Sequence, residues 1–154
     1  MFLLLFPALP AVPGSGVPAG ELQAQGAPSP EERAEALRAS AGRVAGHWAR
    51  GDATGMAELL SPRGIGFHTA TEGQAALDPR KALAALDDLF DRRPSVGSTV
   101  VRVSLASGAS DRGSAELAWD ALAQGTSEVI RRTVFLGFSW SDAGWRIYEI
   151  RILP

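Results

Sequence analysis

The apolar positions of residues 30–50 recur at the spacing of an α-helix. They fall four, three and four residues apart, at Leu37, Ala41, Val44 and Trp48. This spacing places all four on one helix face. Ser29 provides an N-cap, a proline follows it at the first helical position, and a glutamate three residues after the cap completes a capping box. Gly51 supplies a stop, so the pattern predicts a first helix over residues 30–50.

Two shorter helices and one strand are predicted next. Asp52 can cap a short helix, which ends before Pro62 because the residue that precedes a proline resists the helical conformation. A brief strand through Phe67 follows. Asp78 then repeats the combination of cap and proline, and the helix that it begins ends before Pro94. Three helices therefore precede the rest of the fold.

From Thr99 onward the apolar pattern changes to a period of two, which is typical of half-buried β-strands. The alternation falls into four runs separated by glycine-containing turns, over residues 99–106, 114–123, 127–140 and 145–153. Because short turns join consecutive runs, we expect an antiparallel meander. The sequence therefore predicts an α+β domain in which three N-terminal helices pack on an antiparallel meander sheet.

Pairing these runs across their turns sorts the side chains onto two faces. One face is apolar, and we expect the helices to cover it; it carries Val101, Val103, Leu105, Leu117, Trp119, Ile130, Val134, Leu136, Phe138, Trp140, Trp145 and Ile147. The other face carries charged residues and is expected to be solvated or to contact a second copy of the chain. Asp120 lies across from Arg131 on that outer face, which predicts a cross-strand ion pair.

Two stretches of the sequence carry a family resemblance. Residues 43–67 read RVAGHWARGDATGMAELLSPRGIGF, an amphipathic helix, a Gly-Asp turn, a short helix and a strand. Residues 142–152 read DAGWRIYEIRI, a turn that leads into Trp-x-Ile. With helices first and a meander of long strands after them, the chain resembles the nuclear transport factor 2-like superfamily. The resemblance covers residues 30–153, and it implies a single domain over residues 30–154 whose sheet is strongly curved and cone-like.

The resemblance also sets the expectations for function. The superfamily includes isomerases, dehydratases, hydrolases, transport adaptors and non-catalytic binding domains, so the fold alone does not define an activity. Its enzymes place carboxylates, histidine or tyrosine inside the cone, and no such catalytic set aligns with this sequence. We therefore expect a non-catalytic binding or accessory domain for a small ligand or a protein partner. The alternatives are a ketosteroid isomerase-like isomerase or dehydratase, and a structural homodimer formed through the outer sheet face.

Three ionisable residues, Arg132, Glu149 and Arg151, interrupt the apolar face in the predicted register. A charge on such a face must be paired, solvated or matched to a ligand. Arginine binds carboxylates and phosphates in a bidentate geometry. One interpretation is a small ligand whose anionic group binds Arg132 and Arg151 and whose apolar body packs on Trp119 and Phe138. The other is a structural ion pair in which Arg132 stacks on Trp119.

The two histidines are further candidates for chemistry. His68 lies at the end of the predicted short strand, and an imidazole that changes charge near neutral pH can act as a general base or contact a ligand. In the isomerase alternative, His68 or Glu149 would be the base. His47 adjoins Trp48 on the first helix without an identifiable partner. A lone histidine is more often a structural residue, and this interpretation is favoured for both.

Composition excludes several classes of function. The 154 residues fit one domain, and a net charge of −2 provides no basic field for nucleic acid. The absence of cysteine excludes disulfides, thiolate catalysis and cysteine-ligated zinc. His47 and His68 match no metal-binding spacing, and no nucleotide-binding loop occurs. The sequence therefore predicts neither a metal nor another cofactor.

The N-terminal segment has the pattern of a targeting signal. Residues 1–12 are apolar but shorter than the roughly 20 residues of a membrane-spanning helix, so no integral membrane span is expected. A small-residue site allows cleavage after Ala19. This pattern predicts a signal peptide over residues 1–19, a flexible linker over residues 20–29, and a secreted or periplasmic location. No Lys or Arg precedes Arg33, so an apolar tail on a cytoplasmic protein is the alternative.

Overall fold

The computed structural model describes residues 26–70, 73–107 and 109–154. The elements in chain order are α1 (Pro30–Ala49), the 3-10 helix η1 (Thr54–Leu59), β1 (Ile65–His68), β2 (Gly73–Leu77), α2 (Pro79–Arg92), β3 (Ser95–Ala106), β4 (Ala109–Leu122), β5 (Val129–Ser141) and β6 (Gly144–Leu153). The predicted signal peptide lies outside the described residues, as does most of the predicted linker.

Both α-helices begin where the sequence predicts. At α1 the Glu32 N–H donates to the Ser29 hydroxyl over 3.2 Å, and the Ser29 N–H donates to the Glu32 carboxylate over 2.6 Å. These two bonds complete the predicted capping box. At α2 the Lys81 N–H donates to the Asp78 carboxylate over 3.0 Å, and this bond lowers the pKa of Asp78. The short helix between them is a 3-10 helix.

Six strands form one mixed, open sheet in the order β2-β1-β6-β5-β4-β3. Strands β3 to β6 form the predicted antiparallel meander. Strand β1 pairs in parallel with β6, with Gly66 opposite Glu149, and β2 pairs antiparallel to β1. The alternation pattern does not predict β2, whose sequence Gly-Gln-Ala-Ala-Leu has no period of two. The helices and the meander thus agree with the prediction, and β1 and β2 extend the sheet.

The core lies between the helices and one face of the sheet. Trp48 on α1, Phe90 on α2 and Trp119 on β4 meet there edge to face, with ring centroids 5.3 to 6.2 Å apart. Trp48 and Trp119 have no solvent-exposed surface. Edge-to-face pairs add a favourable quadrupolar interaction to the burial of apolar area. This aromatic cluster therefore joins both α-helices to the sheet.

A bulge in β6 changes which side chains face the core. Tyr148 is an extra residue between two consecutive pairs of the β5–β6 ladder. A one-residue bulge reverses the alternation of the strand, and accordingly Ile147 is buried before it and Ile150 after it. Glu149 and Arg151 consequently face away from the helices. The prediction that they lie on the apolar face is wrong.

A second bulge affects the edge strand β3. It lies between Val100 and Arg102 and leaves Val101 without a partner on β4. Val101 is 63% exposed, so its predicted place on the covered face is wrong as well. Val103, beyond the bulge, packs against the core as predicted.

The outer face carries charge pairs, as the register predicts. Arg131 donates to the Asp120 carboxylate through Nε over 2.7 Å and through a terminal nitrogen over 2.8 Å. These hydrogen bonds hold the pKa of Asp120 below its ordinary value. Arg102 and Glu116 form a looser pair at 3.8 Å. The predicted cross-strand ion pair between Asp120 and Arg131 is confirmed.

Candidate functional site

A cavity of about 270 Å³ lies between the C-terminal half of α2 and one end of the sheet. The helix contributes the residues from Ala85 to Arg93 that face inward. Strands β1, β4, β5 and β6 contribute the opposite wall, from Phe67, Trp119, Arg132 and Ile152. Both layers of the fold therefore build this site.

The inner part of the cavity is apolar. Phe67, Leu89, Trp119 and Ile152 line it, and each is almost completely buried. The Trp119 indole N–H donates to the Ser95 hydroxyl over 3.0 Å. That bond satisfies the only polar atom of the indole and holds the ring in place. The cavity thus offers rigid aromatic and aliphatic surface to an apolar group.

The rest of the lining is cationic. Three arginines, Arg92, Arg93 and Arg132, border the cavity together with the carboxylate of Asp88. Arg92 forms an ion pair with Asp88 one helical turn before it, and also donates to the Asp88 carbonyl over 3.2 Å. Three positive charges and one negative charge leave a surplus of two positive charges at the lining that the described residues provide.

Arg132 differs from Arg92 in having no partner among the residues that the structure describes. It is half-buried and lies directly opposite Trp119 in the β4–β5 ladder. Its guanidinium makes no hydrogen bond, ion pair or ring contact with the residues that the structure describes. The predicted stacking of Arg132 on Trp119 and the predicted ion pair with Glu149 are therefore both absent from this part of the chain.

The cavity adjoins an open groove of about 560 Å³ beside the turn between β4 and β5. Arg92 and Gln124 border both spaces, and Thr126 and Ser127 line the far side of the groove. A polar group can therefore reach the arginines from solvent.

The structure brings together only two of the six residues that the sequence proposes for the site. Arg132 and Trp119 line the cavity. Phe138 is fully buried in the core and does not line it. Glu149 and Arg151 lie on the outer face beyond the Tyr148 bulge, and His68 lies beside them. The predicted patch of Arg132, Glu149 and Arg151 does not form, because the bulge separates its members onto opposite faces.

The outer-face residues form a cluster of their own. Arg151 donates to one oxygen of Glu149 through Nε over 2.7 Å and also lies 2.6 Å from it through a terminal nitrogen. His68 Nε2 lies 4.0 Å from the same oxygen. Gly66 and Gly137 are the residues opposite Glu149 on the two neighbouring strands, and the His68 and Tyr148 side chains lie over these glycines. The isomerase alternative with His68 or Glu149 as a base in the cavity does not fit this arrangement.

His47 has a structural partner that the sequence did not indicate. Its Nδ1 lies 2.8 Å from the Asp52 carboxylate, whose other oxygen accepts the Gly55 N–H over 2.8 Å. The Gly55 bond, and after it the His47 contact, lower the pKa of Asp52. His47 thus connects the end of α1 to the turn that begins η1.

Sequence reasoning missed Asp88, Arg92 and Arg93 as site residues. Acidic and basic residues clustered at a helix end are usually solvated, and the sequence alone does not distinguish these three from such a cluster. The available signal was their spacing, because Ala85, Asp88 and Arg92 follow one another at three and four residues along the helix, next to the buried Leu89. A cationic residue there lies beside the apolar face of the helix.

Comparison with known proteins establishes the fold. No protein-family model matches the sequence, and no curated protein matches it at a significant level. Among solved structures, a DUF4783 family protein from Bacteroides ovatus ATCC 8483 is 14% identical over 71% of this chain and 90% of its own, with a TM-score of 0.61. A ketosteroid isomerase-like protein from Erwinia carotovora atroseptica SCRI1043 is 13% identical over 79% and 95%, with a TM-score of 0.61. An NTF-2-like protein of unknown function from Shewanella oneidensis MR-1 is 14% identical over 77% and 96%, with a TM-score of 0.58.

The chain has the nuclear transport factor 2-like fold. At these sequence identities the likeness extends to the arrangement of elements, and the activity has to be argued from the site. Among the described residues of this nuclear transport factor 2-like domain, no helix is long and apolar enough to cross a membrane. Within the same residues, no three His, Asp or Glu side chains are grouped so as to hold a metal ion.

Proposed function

We propose that this domain binds, without transforming it, a small molecule that has an apolar body and an anionic group. The apolar body would pack against Phe67 and Trp119, and the anionic group would bind Arg132. The observation that carries the proposal is the half-buried Arg132 guanidinium, which borders an apolar cavity and has no partner among the described residues.

The physical argument rests on the cost of desolvating a charge. A guanidinium that loses part of its hydration without gaining a hydrogen-bond partner is unfavourable, and a ligand carboxylate or phosphate removes that cost. The two parallel N–H donors of arginine match such anions in a bidentate geometry. A ligand that buries its apolar part on Trp119 and binds Arg132 through its anionic group therefore gains binding free energy from both contacts.

Cavity size restricts the ligand. Ligand pockets usually have volumes of about 300 to 1,000 Å³, and this one, at about 270 Å³, lies just below that range. Aromatic carboxylates and medium-chain fatty acids are of suitable size. Among the described lining residues the only carboxylate, Asp88, is held by Arg92, which favours binding over acid–base catalysis.

Replacing Arg132 by leucine is expected to weaken the binding of such anions by about thirtyfold, because a desolvated charge-assisted contact is worth about 2 kcal/mol. Unfolding free energy should change little, since no partner among the described residues loses a contact. Isothermal titration calorimetry with phenylacetate and decanoate, together with urea unfolding, measures both effects.

Arg131 provides the matched control for this experiment. It is the neighbouring arginine on β5, but it faces outward and is bound by Asp120. Arg131→Leu should therefore leave the affinities unchanged. The proposal would be contradicted if neither phenylacetate nor decanoate bound to the wild-type chain, or if Arg132→Leu and wild type had equal affinities.

We further propose that the domain is exported, on the support of the apolar run and the cleavage site in residues 1–19. Expression of the full chain in a bacterial host should yield a product that begins at Gly20 in the periplasm or medium. Intact-mass measurement of each fraction tests this. A product that retains residues 1–19 and stays in the cytoplasm would contradict it.

The homodimer through the outer sheet face is a separate proposal from the sequence. Such an interface would bury the Asp120–Arg131 and Glu149–Arg151 ion pairs, which already form within one chain. Paired charges of this kind can be covered at lower cost than isolated ones.

A further inference from the structure

The number of unpaired arginines at the cavity indicates how many negative charges the ligand carries. Arg93 and Arg132 both border the cavity, and neither side chain has a hydrogen bond, ion pair or ring contact within the described part of the chain. Arg92 borders it too, but Asp88 already neutralises that charge. Two guanidiniums therefore remain without a partner among the described residues that border this cavity.

The two available arginines come from different layers of the fold. Arg93 is the C-cap residue of α2, and Arg132 lies on β5 opposite Trp119. A cavity of about 270 Å³ is narrow enough for both charges to act on one bound molecule, because screening at physiological salt extends over about 8 Å. Separate layers approach the ligand from two sides, so a group with several acceptor oxygens can receive hydrogen bonds from both.

We infer, on the basis of the proposed function, that the ligand carries two negative charges, as a phosphate monoester or a dicarboxylate does, attached to a compact apolar group. A monoanion leaves one guanidinium at the cavity uncompensated, whereas a dianion neutralises the surplus of two positive charges. The open groove beside Gln124 gives the doubly charged group a route from solvent to the arginines. The apolar group then lies inward, against Phe67 and Trp119.

Asp88 influences the preference for dianions because it pairs with Arg92. It lies on the cavity wall and competes with any ligand for Arg92. With Asp88 in place the described lining residues offer two unpaired positive charges, and without Asp88 they would offer three. Asp88 is thus a specificity-determining residue, because it limits the charge that the site can accept.

The experiment compares four probes that share a phenyl ring: benzyl alcohol, phenylacetate, phenyl phosphate and phenylsuccinate. Titration calorimetry of the full chain near pH 8 and low salt is expected to show both dianions binding at least about tenfold more tightly than phenylacetate, since each additional charge contact near a protein surface is worth this much or more. The preference should decrease as sodium chloride is added. Phenyl phosphate and phenylsuccinate together distinguish phosphate recognition from dicarboxylate recognition.

Variants separate the roles of the charges. Arg93→Gln should reduce the preference for dianions to about twofold or less while phenylacetate still binds through Arg132. Asp88→Asn should strengthen dianion binding severalfold. The double variant Asp88→Asn with Arg92→Gln removes the ion pair as a unit and leaves the net charge of the wall unchanged, so it should keep the wild-type preference.

The possible outcomes distinguish this inference from the proposed function. Equal affinity of wild type for phenylacetate and both dianions would overturn the inference and leave the binding function intact. Weaker dianion binding by Asp88→Asn, or an unchanged preference in Arg93→Gln, would overturn it as well. If none of the anions binds to wild type or to Asp88→Asn, both the inference and the proposed function fail.

Discussion

Replacement of Trp48 by alanine is expected to lower the free energy of unfolding by about 3 to 5 kcal/mol, the usual cost of removing a large aromatic side chain from a packed core. Trp48 has no exposed surface and packs edge to face on both Phe90 and Trp119. Its loss removes the aromatic contacts through which α1 packs on both α2 and the sheet. Because a domain of this size is stable by about 5 to 15 kcal/mol, the variant should be partly or largely unfolded at moderate urea concentrations.

Two control variants make the Trp48 result specific. Trp48→Phe keeps most of the ring contacts and removes an indole nitrogen that has no hydrogen-bond partner among the described residues, so its cost should be clearly smaller. Trp140→Ala removes a half-buried indole at the edge of the core and should also cost less. Urea unfolding followed by circular dichroism ranks the three. A loss below about 1 kcal/mol for Trp48→Ala would contradict the described core.

Replacement of Gly113 by valine is expected to cost about 1 to 3 kcal/mol or more through overpacking. Gly113 lies on the helix-covered face of β4, directly against Leu37 of α1. A Cβ atom at this position would lie 2.5 Å from the Leu37 side chain and 3.2 Å from the Ser104 carbonyl oxygen. Leu37 is fully buried and cannot move without disturbing its neighbours. Glycine is therefore required here by the close approach of the helix.

Ser114 is the matched control for Gly113. It is the next residue on β4 and faces the opposite side of the sheet, paired with Ser104 and Gly137. A β-branched residue is favourable in a strand, so Ser114→Val should leave the midpoint of thermal unfolding within a few degrees of wild type. Comparable losses for the two variants would show that the effect of Gly113→Val does not come from α1.

The parts of the fold that depend on local interactions could be predicted from the sequence. The Ser29 and Asp78 caps each require only the next three residues, and the hairpins of the meander require only short turns. The parallel pairing of β1 with β6 depends on residues that are distant in sequence, and no local pattern encodes it. Strand β2 likewise depends on its pairing with β1, because its own sequence has no apolar alternation.

The misplacement of Glu149 and Arg151 has one physical origin. Whether a strand contains a bulge depends on the strand that it pairs with, and Tyr148 shows no turn or glycine signal in its own sequence. A register extended through that residue assigns every later side chain to the wrong face. The pairing of β4 with β5 has no bulge, so the predicted position of Arg132 opposite Trp119 is correct. Glu149 and Arg151 follow the bulge on β6.

The sequence does not reveal Arg92 and Arg93 as cavity residues, and the reason is different. A run of acidic and basic residues at a helix end is usually solvated, and in α2 the charges of Asp88 and Arg92 do pair with each other. The C-terminal half of α2 becomes part of a site because it lies opposite the sheet end that carries Trp119 and Arg132. That juxtaposition is a property of the tertiary structure.

The parallel pair of β1 and β6 determines when the domain can be completed during synthesis. The strands of the meander are neighbours in sequence and can pair as soon as their turns form, whereas β1 must wait for the last strand of the fold. On a ribosome, β1 and β2 can pair with each other as soon as both have emerged, whereas the edge of β1 that pairs with β6 stays open until the end of synthesis. Because the cavity takes its walls from both β1 and β6, we expect nascent chains that lack β6 to be unable to bind a ligand at all.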